Sequence, residues 1–173
     1  MRWYWIDRFL EFESGRRATA IKNISLAEDH LHDHFPNYPV IPHSLVVEGL
    51  AQTGGLLVCE HGGFAEKVVL AKVPKAVFHC EARPGDTLTY RVEVQYIKTE
   101  GAMISGTSHK GDELHAELEI VFAHLNDPTL QSLFDPDIFL RMMRLLGAYD
   151  VGLAPDGTPL QPPPALLGAN GGA

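Results

Sequence analysis

The sequence predicts an α+β fold in which one long apolar helix lies across a curved antiparallel β-sheet, and three observations predict it. Residues 43–60 contain no proline, are dominated by Leu, Val, Ala and Gly, and sit between Pro42 and the pair Gly62-Gly63. That is the pattern of a mostly buried helix. Residues 87–97 place Leu88, Tyr90, Val92, Val94 and Tyr96 on one face and Thr89, Arg91, Glu93 and Gln95 on the other. Leu114, Ala116, Leu118, Ile120 and Phe122 alternate in the same way against His115, Glu117 and Glu119. Period two marks half-buried strands. Pro84-Gly85-Asp86, Glu100-Gly101 and Lys110-Gly111-Asp112 are turn signals, and with strands over 68–81 and 102–110 they make an antiparallel meander.

The remaining elements follow in order. Residues 3–13 and 17–24 are rich in aromatic and β-branched side chains and are separated by Ser14-Gly15, a hairpin pattern. Ser25-Leu26-Ala27-Glu28 has the spacing of a capping box, in which the serine side chain meets the N–H of residue 28 and the glutamate reaches back; a helical turn should start there. Pro36, Pro39 and Pro42 hold the next segment extended, so helix can begin only at about Pro42. Asp135-Pro136 reads as a cap and first helical position, opening a short amphipathic helix over 138–146 that Gly147 closes. Beyond Gly152, glycine and proline dominate, and disorder is expected. The chain thus divides into a domain at 1–125, a helical extension at 126–150 and a tail at 151–173.

At 173 residues the chain suits one globular domain plus a tail. Its 22 acidic and 14 basic residues give a formal charge of −8, and the basic ones form no run or stripe, which argues against nucleic acid. The two cysteines, Cys59 and Cys80, read as buried free thiols in a reducing compartment. The first residues are interrupted by Asp7 and Arg8 before a signal-peptide core could form, and the greasy stretch 45–59 carries Glu48, Gln52 and three glycines, which fails as a membrane span. A cytoplasmic location is expected.

Chemistry concentrates between His34 and Gln52. Ser44, Glu48 and Gln52 recur every four residues and form a narrow polar stripe on the long helix. On an average helix such a stripe faces water. Here Leu45, Val47, Leu50, Ala51 and Leu56 leave little room for a broad wet face, so Glu48 is expected to be partly buried, which raises a carboxyl pKa and suits a general acid. His34 precedes the helix in a proline-stiffened segment, and a helix N-terminus offers unpaired N–H groups to negative charge. A base, an acid and an oxyanion site within one stretch are what removal of a β-hydroxyl from an acyl thioester requires. A lone histidine is more often structural, however. His30, His32 and His34 alternate as zinc ligands can, but no further cluster completes a ligand set, and no metal is expected.

The order of residues is more specific. His34-Phe35-Pro36-x-x-Pro39-Val40-x-Pro42-x-x-Leu45-x-x-Glu48-x-x-Ala51-Gln52 closely resembles the signature of the β-hydroxyacyl-[acyl carrier protein] dehydratases of fatty-acid synthesis, which have the hot-dog fold. Trp5-Ile6-Asp7-Arg8-Phe9-Leu10-Glu11, Lys22-Asn23-Ile24, Ala82-Arg83-Pro84-Gly85-Asp86-Thr87-Leu88 and the strand through Phe122-Ala123 extend the likeness over about residues 4–123. The resemblance implies His34 as base and Glu48, from the other subunit of a dimer, as acid. It implies amides near His43 and Ser44 as donors to the thioester carbonyl, with Gln52 among the substrate-positioning residues. It implies no metal or soluble cofactor, because the acyl group arrives on the phosphopantetheine arm of acyl carrier protein, and a homodimer, often assembled as three dimers. His43 stands where the family usually has glycine, and Asp33 and Asn37 stand where glycines are common. Lys72, Lys75 and Arg83 are the basic residues nearest the expected carrier surface. Two other readings share the fold: a non-catalytic acyl-carrier-binding or assembly subunit, and an acyl thioesterase that uses Glu48 alone.

Overall fold

The computed structural model describes residues 3–125 and 136–164. Strand β1 (Arg8–Glu13) and β2 (Arg17–Asn23) form the expected hairpin. After them come α1 (His30–Asp33), α2 (His43–His61), β3 (Lys67–Phe78), β4 (Thr87–Lys98), β5 (Gly101–Lys110) and β6 (Glu113–Leu125). The chain then adds α3 (Pro136–Leu145), α4 (Ala148–Val151) and the two-residue β7 (Gly152–Leu153). Among the described residues, one seven-stranded sheet has the order β3-β6-β5-β4-β2-β1-β7. β4, β5 and β6 are a meander, whereas β3 pairs with β6 and so stands at the sheet's far edge rather than beside β4.

α2 lies on the concave face of this sheet, the hot-dog arrangement. It can lie close because glycines face the strands. A Cβ on Gly49 would sit 2.4 Å from the Tyr90 ring, and one on Gly54 would sit 2.2 Å from Ile104 Cδ1. Each glycine forfeits about 1 kcal/mol of helix propensity, and in return the fully buried Tyr90 and Ile104 pack against the helix backbone.

Several expectations need correction. β1 begins at Arg8, and residues 3–7 form an arm along α2 instead of more strand. In the box at Ser25, Glu28 does accept the Ser25 N–H (3.2 Å), but the serine Oγ accepts from Ala27, and helix starts only at His30. The segment after His34 is not extended throughout: Phe35 and Tyr38 exchange two backbone hydrogen bonds of 2.9 Å, closing a turn with Asn37 at φ 63°. Asparagine tolerates that left-handed geometry better than most residues. The β4 alternation breaks where its register against β5 slips between Val94 and Tyr96, leaving Tyr96 exposed and Ile97 packed on the core. A slip at Ser108/His109 does the same near the start of β6, turning His115 inward from the polar face on which simple alternation places it. Cys59 is buried, but Cys80 is only half-buried and follows β3 rather than lying in it; both are free thiols.

The expected disorder beyond Gly152 fails for residues 152–164. β7 runs parallel to β1, Leu160 donates its N–H to Gly152 O at 2.9 Å, and the Leu160 side chain is buried. A few apolar anchors outweigh the proline and glycine content. The proposed cap Asp135 and residues 165–173 lie outside the described residues.

Candidate active site

His34 follows the last residue of α1 and is half-buried. Its Nδ1 lies 2.9 Å from Val40 O. A carbonyl can only accept, so Nδ1 carries a proton, and in the neutral ring Nε2 then holds the lone pair a general base needs. The backbone fixes this pairing from the other side too, because Val40 N donates to His34 O at 3.0 Å. Ile41 N donates to Ala82 O at 2.9 Å and ties the segment to the strand connection.

Helix α2 begins two residues later. Pro42 O accepts the N–H groups of Leu45 and Val46, so the amides of His43 and Ser44 precede the first intrahelical bonds. They open on a cavity of about 390 Å³ that His34, Pro42, His43, Ser44 and Glu81 line. The His43 ring is not loose in this space. It lies flat on Phe78, centroids 3.8 Å apart and planes 3° from parallel. Phe78 in turn meets the edge of the fully buried His115, whose Nδ1 lies 3.0 Å from Ser108 Oγ. Burial pushes the His115 imidazole pKa down to about 4. At the rim, Glu81 accepts from Arg83 (2.9 Å) and Tyr38 (2.7 Å), which hold its carboxyl below the usual range.

Glu48 sits one helical turn beyond Ser44 and lines a different cavity, of about 130 Å³, with Gln52, Gly55, Leu56 and Cys59. The polar stripe therefore sinks inward: Ser44 is exposed, Glu48 half-buried and Gln52 buried. Gln52 holds Glu48 in place, donating from Nε2 to Glu48 Oε1 at 2.7 Å. Cys59 is inert here, its thiol pushed up to about 12 by burial.

Within one chain, then, His34, His43 and Ser44 share a site and Glu48 with Gln52 shares another. The alternating histidines do not converge either. His30 packs on Trp5, His32 Nε2 lies 2.9 Å from Leu26 O, and His34 meets Val40. Among the described residues no three His, Cys, Asp or Glu side chains are grouped as metal ligands would be, and no helix is long and apolar enough to cross a membrane. Two of the three basic residues considered for carrier binding are paired, Lys75 with Glu117 (3.5 Å) and Arg83 with Glu81. Sequence reasoning missed Phe78 and His115 around His43. Both are set by pairing between distant strands, and only the phenylalanine at a strand end gives a local sign of it.

Solved structures with this architecture include a dehydratase heterocomplex, ApeI:P, from Xenorhabdus doucetiae, with TM-score 0.62 at 12% identity over 76% of this chain and 90% of that one. Another is smu.793 from Streptococcus mutans bound to acetyl CoA, with TM-score 0.59 at 12% identity over 72% and 93%. At such identities they show the fold alone. Sequence relatives are nearer. A 3-hydroxyacyl-[acyl-carrier-protein] dehydratase FabZ from Pelotomaculum thermopropionicum is 39% identical over 119 residues, 68% of this chain and 85% of that protein. The FabZ of Desulforamulus reducens is 40% identical over 121 residues, 68% and 84%. The FabA-like domain family matches residues 3–117, which include His34, Glu48 and the whole of α2, and to that family the chain belongs.

Proposed function

We propose that the protein dehydrates 3-hydroxyacyl thioesters carried on acyl carrier protein to trans-2-enoyl thioesters, in fatty-acid or related acyl-chain synthesis. The names of the relatives at 39% and 40% identity support the reaction class. The observation that carries the mechanism is the placement of His34, with its Nδ1 proton committed to Val40 O, in one cavity with the first amides of α2. In this scheme the thioester carbonyl accepts from the amides near His43 and Ser44, which acidifies the α-carbon. His34 Nε2 takes the α-proton, the electron pair forms the C2–C3 double bond, and the hydroxyl leaves from C3 as water with a proton from Glu48. Imidazolium and carboxylate are left, and a proton passed between them restores the site. No metal or soluble cofactor takes part.

His34 and Glu48 line separate cavities of one chain, which favours a homodimer in which each site takes its histidine from one copy and its glutamate from the other. The edge of β3, outermost in the sheet of the described residues, is a surface such a dimer can use. The protein is read as cytoplasmic. A test is incubation with a 3-hydroxyacyl thioester of acyl carrier protein, with mass analysis of the product. Loss of one water that His34→Ala abolishes is expected. Release of the free acid without enoyl product would instead identify a thioesterase, and binding without turnover a carrier-binding subunit.

A further inference from the structure

The cavity beside Glu48 has walls from two parts of the chain. Gly55, Leu56 and Cys59 come from α2, Val68 and Leu70 from β3 and Phe122 from β6, while Phe139 and Met142 come from α3. The α3 residues lie beyond residue 117, where the family match ends. From Glu48 to Cys59 the helix advances about 16 Å. Phe139 stands at the Cys59 end: its ring stacks on Phe64, centroids 6.3 Å apart, and Phe64 donates its N–H to Cys59 O at 2.8 Å. The walls between are apolar, and among the described residues Glu48 is the one charged side chain lining the space.

The position of α3 is fixed by the segment that follows it. Leu140, Met142 and Met143 are buried, Leu146 O accepts the Phe9 N–H at 2.8 Å, and β7 pairs with β1. The helix is therefore held across one end of the cavity.

We infer that Phe139 and Met142 are the blind end of an acyl pocket, so that the C-terminal extension sets the length of acyl chain the protein accepts. The inference rests on the proposed function in one respect, that Glu48 marks the C3 end of the substrate. Carbons beyond C3 then run from Glu48 along α2 toward α3. At about 130 Å³ the cavity is smaller than an ordinary small-molecule pocket of roughly 300–1,000 Å³, and it fits a short acyl tail rather than a long one.

The test compares the wild-type protein with Phe139→Ala, Met142→Ala and Phe139→Trp on carrier-linked 3-hydroxyacyl thioesters of increasing length. The readout is the ratio of kcat/KM for long chains to that for short ones. Both alanine variants should raise this ratio, by about tenfold for every two methylenes newly accommodated. Phe139→Trp should lower it, a shift in the opposite direction that loosened folding would not produce. Direct binding of acyl-pantetheine probes of stepped length gives a second readout. Dehydration with an unmoved length profile in all three variants would overturn the inference and leave the dehydratase reading standing. Absence of any dehydration, with a binding cut-off that Phe139→Ala relaxes, would do the reverse.

Discussion

Gln52 and Glu48 are joined by a hydrogen bond of 2.7 Å from Nε2 to Oε1, and the same glutamine accepts the Trp5 N–H through its Oε1 at 2.8 Å. Its Nε2 also donates to Trp3 O at 3.1 Å. One buried amide thus pins the N-terminal arm to the helix and orients the proposed acid.

Gln52→Leu should have two separable effects. The buried Trp5 N–H loses its acceptor, which costs about 1–3 kcal/mol and is read from chemical denaturation. Glu48 loses its orienting donor, and kcat should fall by about tenfold with a smaller change in KM, the effect of ~1.4 kcal/mol at the barrier.

Subunit sharing has a direct test. His34→Ala and Glu48→Gln should each be inactive alone. Mixed dimers contain one doubly altered site and one intact site, so equal mixing with exchange should restore about a quarter of wild-type activity. A site built within one chain would restore none.

His43 rests on Phe78 and leaves the first amides of α2 open to the cavity. His43→Gly should therefore change kcat/KM by less than about threefold, because under ~0.7 kcal/mol of barrier is at stake. A large gain in rate would show that the ring obstructs the carbonyl site.

His115 should make stability depend on pH. Its pKa is about 4 in the fold against 6.5 in a free chain. The unfolded chain therefore binds the proton first as pH falls. The stabilisation is complete above 6.5 and is lost as pH drops through 4, about 3 kcal/mol in all. His115→Gln removes the titration, so its denaturation midpoint should vary less than the wild type's across that range.

Gly49→Ala should destabilise the fold although it improves helix propensity. The added Cβ meets the buried Tyr90 ring, Cε2 at 2.4 Å, and overpacking of this kind costs about 1–3 kcal/mol. A lower thermal midpoint checks it.

Elements governed by local rules were legible in the sequence. Pro42 and Gly62 bound α2 within a residue, and Leu88, Tyr90 and Val92 declare the buried face of β4. For the proposed site, the sequence offers His34 and Glu48 at a recognisable spacing, and the structure places them in separate cavities of one chain. What escaped depends on strand register, which side-chain alternation alone does not set. The slips at Val94/Tyr96 and Ser108/His109 reverse which face Tyr96 and His115 present, and nothing local marks them. Composition misjudged residues 152–164, because propensity for disorder says little once Leu160 finds a buried place.

The strip of backbone at β7, with the Leu146 carbonyl beside it, occupies hydrogen-bonding groups on the outer side of β1. Among the described residues the outermost strands are this short β7 on one side and β3, twelve residues long, on the other. An uncovered strand edge is a template for pairing with another sheet. The extension thus occupies backbone groups on the β1 side that could otherwise pair with the edge of another sheet.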